Sequence, residues 1–61
     1  MQPPTVREVI RRLENEGWVL ERQKGSHRQY RKDNKRVTVP GGLNETLDWK
    51  TWNSIQRQAG W

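Results

Sequence analysis

At 61 residues the chain holds 12 lysines and arginines, seven acidic residues and no cysteine. A domain this small buries only about 60% of the surface its unfolded form exposes, and no disulfide or thiolate zinc site is available to staple it. No apolar run approaches the roughly 20 residues that span a bilayer, and the N-terminus has no signal-peptide pattern, so one soluble, unexported, cytoplasmic domain over residues 1–61 is expected, without a membrane partner.

The first predicted element is a helix over about Val6–Glu16. Thr5 and Glu8 have the spacing of a capping box, Val6, Val9, Ile10 and Leu13 recur on one helical face, and Gly17 stands where a left-handed residue ends a helix. Trp18–Arg22 reads as a strand with Trp18, Leu20 and Arg22 on one side and Val19 and Glu21 on the other. Lys24-Gly25-Ser26 makes a tight connection to a second strand, His27 to about Lys32. A turn at Asp33-Asn34-Lys35 leads to a third strand, Arg36–Val39, which Pro40-Gly41-Gly42 ends. Asp48 is a candidate N-cap for a last helix in which Trp52, Ile55 and Ala59 repeat at helical spacing until Gly60. Helix, strand, strand, strand, helix makes an α+β two-layer sandwich, with both helices on one face of a three-stranded antiparallel sheet. The expected core is Val9, Ile10, Leu13, Trp18, Leu20, Val37, Val39, Trp52 and Ile55. Trp49 and Trp61 have no clear place in it and are candidates to pack against a partner.

Charge is unevenly spread. Arg22 to Arg36 contains seven basic residues and one acid, a balance of +6, while the other five basic and six acidic residues leave −1. A local positive field of this kind favours polyanions such as RNA, DNA or an acidic protein surface. The same stretch holds the only histidine, His27, and histidine is the side chain that ordinarily exchanges protons near neutral pH. Together these features point to chemistry on a nucleic-acid backbone.

Val9-Ile10 and Leu13, Gly17, Arg22-Gln23-Lys24-Gly25-Ser26-His27 with Tyr30, Val37 through Pro40, and Ser54-Ile55 with Arg57-Gln58-Ala59-Gly60 resemble, in order and spacing, the HicA family of type II toxin-antitoxin systems. The resemblance implies a fold like the double-stranded RNA-binding domain and metal-independent endoribonuclease activity on mRNA, with His27 as the catalytic residue. It also implies a HicB-like antitoxin that covers the active site. Two features depart from the family pattern. Pro40 is followed by Gly41-Gly42 where many members have a histidine, and Lys50-Thr51 replaces the Gly-Thr that commonly starts the last helix.

RNA is open to cleavage without metal or other cofactor, because its 2′-hydroxyl attacks the adjacent phosphate once a base removes the proton and positive charge stabilises the intermediate. In this reading His27 is the base or acid, and Arg22, Lys24 and Arg28 are candidates to hold the phosphate. Ser26 offers a hydroxyl or backbone N–H to it, and Gly25 supplies a sharp turn open to close approach. Tyr30 has two readings, stacking on an unpaired base or filling the core to which strand parity directs it. With one histidine, the second proton falls to water, Lys24, Tyr30 or a second subunit, the free protein being expected as a monomer. One histidine without cysteine does not make a usual metal ligand set. Two other functions fit the same residues: a noncatalytic RNA- or DNA-binding module, and an inactive family member that serves only as an antitoxin's partner.

Overall fold

A computed structural model describes residues 1–61. The order is α1 (Val6–Asn15), β1 (Val19–Lys24), β2 (His27–Lys32), β3 (Lys35–Val39) and α2 (Trp49–Ala59), with the strands antiparallel in the order β1-β2-β3. This is the expected α+β two-layer sandwich. No helix is long and apolar enough to cross a membrane.

Helix α1 starts as its sequence prescribes. Thr5 Oγ1 accepts from the Glu8 N–H at 3.2 Å, and Glu8 Oε1 accepts from the Thr5 N–H at 2.9 Å. Two further N–H groups of the first turn, which no helix can satisfy internally, donate to the loop after β3: Val6 to the Glu45 carbonyl at 2.9 Å and Arg7 to the Leu43 carbonyl at 3.0 Å. The long connection is thereby laid across the start of α1. Helix α2 is capped by Asp48, whose Oδ1 accepts from the Thr51 N–H at 2.7 Å, and ends at Gly60 in the left-handed region.

Both helices cover the same sheet face. Val6, Val9, Ile10 and Leu13 from α1 and Ile55 and Ala59 from α2 are buried with Trp18, Tyr30, Val37, Val39 and Leu47. The register sorts the strands accordingly. Tyr30 pairs with Val37 and Arg28 with Val39 on the covered face, while Gln29 pairs with Thr38 and Lys24 with His27 on the open one. Helix α2 lies beside β3, where Gln58 Oε1 accepts from the Thr38 N–H at 2.9 Å and occupies that point of the sheet edge.

Three expectations are corrected. Leu20 is 44% exposed rather than in the core. A bulge between Leu20 and Arg22 places Leu20 across from Tyr30 and returns Arg22 to the open face across from Gln29, so simple alternation fails along β1. That strand is also the sheet's outer edge, beyond the cover that the helices give β2 and β3. Trp52 is only partly buried and packs against the core instead of forming it. Trp61 is engaged within the chain: it packs against Trp52 in a tilted arrangement at 6.0 Å, takes the Arg12 guanidinium over its ring at 3.9 Å, and donates from Nε1 to Glu16 at 2.7 Å. Trp49, by contrast, is 54% exposed.

Candidate active site

The His27 site is assembled by a two-residue hairpin. Gly25 and Ser26 connect Lys24 to His27, which face each other across β1 and β2. Gly25 has φ 59°, a left-handed value that glycine adopts without strain, and a Cβ placed there would meet nothing within 4 Å. The turn thus favours glycine for its backbone angle, and the space above it is open. One residue later β2 begins, and His27 emerges exposed on the open face of the sheet.

Arg22, Lys24, His27, Gln29 and Thr38 line an open groove of about 230 Å³. Arg22 and Lys24 reach it because the bulge resets the alternation of β1. Neither forms an ion pair, whereas Arg31 and Arg36 both bind Glu21 at 3.1 Å farther along the sheet. The Arg36 and Arg31 guanidiniums in turn hold the Glu21 carboxyl below its ordinary value of 4.5. Lys32 and Lys35 pair at the distant turn. The positive charge of the central segment therefore divides, and Arg22 and Lys24 are the part of it that neither an acid nor a backbone carbonyl engages beside the imidazole.

Two residues expected at the site are turned from its open face. Arg28 borders the groove, yet alternation directs its side chain to the covered side, where Nη1 donates to the Gly41 carbonyl at 2.9 Å and more weakly to that of Ser26 at 3.4 Å. It ties the start of β2 to the loop after β3, and its charge, which no acidic side chain pairs, stays at the border of the groove. Tyr30 is 3% exposed and has no ring face open to a base; burial pushes its phenol above the ordinary 10.0. Ser26 remains exposed in the turn next to His27.

A second groove, of about 330 Å³, continues from His27 toward α2, where Lys50, Thr51, Ser54 and Gln58 form its wall. Sequence reasoning placed none of these at the site. Their signal was the four-residue recurrence of Lys50, Ser54 and Gln58 along one polar helix face, which acquires meaning only once α2 lies beside β3. No group of three or more histidine, aspartate or glutamate side chains gathers in the fold to hold a metal ion.

Residues 6–61 match a family described as the HicA toxin of bacterial toxin-antitoxin systems, which leaves only the first five residues outside the match. No curated protein matches the sequence. Since the match takes in both helices, all three strands and the hairpin that presents His27, the chain belongs to the HicA toxin family of bacterial toxin-antitoxin systems.

Proposed function

We propose that this toxin is a metal-independent endoribonuclease that cleaves mRNA in the cytoplasm, with His27 as its catalytic residue and a HicB-type antitoxin as the partner that silences it. One observation carries the reading: the sole imidazole of the chain is exposed in the same groove as Arg22 and Lys24, two cations without an acidic partner.

The chemistry follows from that juxtaposition. An RNA strand laid on the open face brings a phosphodiester between the two cations, whose charge attracts the nonbridging oxygens and opposes the negative charge that grows as the phosphorus becomes five-coordinate. His27 removes the 2′-hydroxyl proton, and the resulting oxygen attacks the adjacent phosphorus. The P–O5′ bond breaks, leaving a 2′,3′-cyclic phosphate on one fragment and a 5′-hydroxyl on the other. The departing oxygen takes its proton from water or a groove lysine. Tyr30 has no part in this step, being buried. Ser26, beside His27 in the turn, contributes a neutral donor to the same phosphate.

The test is incubation of the purified chain with single-stranded RNA in EDTA, alongside His27→Ala. Expected is cleavage by the wild type, fragments ending in cyclic phosphate, and a loss of at least about 100-fold in the variant, the usual scale for removing a general base. Binding without cleavage by the wild type would establish the noncatalytic module instead. An antitoxin that seats acidic side chains over Arg22 and Lys24 should abolish the cleavage.

A further inference from the structure

The α2 side of the His27 groove is built differently from the sheet side. Gln58 has one available orientation there. Its Oε1 accepts from the Thr38 N–H at 2.9 Å, and since a backbone N–H only donates, the amide is fixed with oxygen toward β3. Its Nε2 consequently turns the other way and donates to Ser54 Oγ at 2.9 Å. The hydroxyl accepts this bond, and no acceptor within the protein takes the proton it still has to give. Ser54 is half-buried and holds that donor in the groove it shares with His27.

One helical turn earlier, Lys50 brings a cation without an ion-pair partner to the same wall. A positioned neutral donor next to a mobile positive charge complements a phosphodiester oxygen, which is anionic and only accepts. Two such walls flank the imidazole: Arg22 and Lys24 on the strands, Lys50 and Ser54 on the helix.

We infer that Lys50 and Ser54, with Gln58 as the positioning residue, form a second phosphate subsite for single-stranded RNA, holding the phosphodiester next to the one gripped by Arg22 and Lys24. The inference rests on the ribonuclease reading of His27 and gives its substrate a path, across the open sheet face and out along α2. Gripping the strand on both sides of the scissile bond restrains the ribose whose hydroxyl must attack in line, which is the orientation that cleavage demands.

The experiment measures binding of a short labelled single-stranded RNA in a His27→Ala background, which leaves the probe intact, over about 50 to 300 mM salt. Lys50→Gln is expected to weaken binding and reduce the magnitude of the salt slope by about 0.7, the contribution of one phosphate contact on a single strand. Ser54→Ala should weaken binding about fivefold to tenfold with the slope unchanged, since the group it removes is neutral. Gln58→Ala should weaken binding as much as Ser54→Ala does, and the double variant should be no weaker than either, because both act through one hydroxyl. A merely structural role for Gln58 would lower the melting temperature while leaving the affinity of the folded protein unchanged, so melting is recorded for each variant. If Lys50→Gln and Ser54→Ala bind like the parent while Lys24→Ala weakens binding, the subsite is overturned and the nuclease reading stands. If the wild type neither binds nor cuts RNA, both fall together.

Discussion

Lys24 and Arg28 flank the same hairpin four residues apart, yet the register sends one to the imidazole and the other to a loop carbonyl. Their substitutions should therefore separate. Lys24→Ala is expected to reduce the magnitude of the RNA-binding salt slope by about 0.7, because one phosphate contact and its released counterions are lost. Arg28→Ala should change the slope less than Lys24→Ala does and lower stability by about 1.5 kcal/mol, the scale of a charge-assisted hydrogen bond; equal slopes in the two variants would contradict the assignment. Tyr30 provides a parallel contrast. Tyr30→Phe keeps the ring in the core and should preserve RNA affinity, whereas Tyr30→Ala removes a buried aromatic at a cost of about 3–5 kcal/mol and should unfold much of the protein, read from its circular dichroism. Side-chain identity marked His27 and Lys24 as candidates to meet phosphate, and the fold sets the two across from each other in one groove. It did not reveal the partner of Arg28, because strand parity gives the side of the sheet and not the carbonyl from another part of the chain that the guanidinium meets.

The helices were readable because their signals are local. Thr5 with Glu8 and Asp48 with Thr51 form caps within four residues of sequence, and Val6, Val9, Ile10 and Leu13 repeat within a few turns. Strand β1 was not, since the bulge at Glu21 depends on which residues of β2 it faces, and Glu21 itself is held by Arg31 and Arg36 from two other strands. These carboxylates also govern the response to acid. Glu8 is lowered by the Thr5 N–H, Glu16 by the Trp61 indole, Glu21 by Arg36 and Asp48 by the Thr51 N–H, each relative to ordinary values of 4.5 for glutamate and 3.8 for aspartate. A carboxyl whose folded value is depressed binds fewer protons in the native state. Its stabilisation is complete above the unfolded value and is lost as pH falls through the folded one. The melting temperature should accordingly be level from pH 7 toward 5 and decline below about 4.5; a melting temperature that rises on acidification would refute this origin. Thr5→Ala should remove about 1 kcal/mol at neutral pH by leaving the first turn uncapped.

At the scale of the whole molecule, 11 of 61 residues are buried and no disulfide or metal ligand cluster supplements them. A core of that size supplies no more than about 3–5 kcal/mol, so Leu13→Ala or Ile55→Ala, at about 2–5 kcal/mol each, should leave little folded protein by chemical denaturation. The apolar periods of 3.6 and 2 and the turn residues at Gly17, Gly25 and Asp33-Asn34 were enough to determine the order of elements, the antiparallel meander and the shared covered face, because each is set by neighbours in the chain or by the need to bury one stripe. The basic centre and the lone histidine were visible in the same way. Tertiary structure alone decided which cations stay beside His27, which of the two readings of Tyr30 holds, that Leu20 is not core, and that Lys50, Ser54 and Gln58 complete the groove. Those outcomes depend on contacts between residues far apart in sequence, through the bulge of β1, the Arg28 bond to Gly41 and the docking of α2 at the Thr38 edge, where geometry in three dimensions and not residue type determines what a side chain touches.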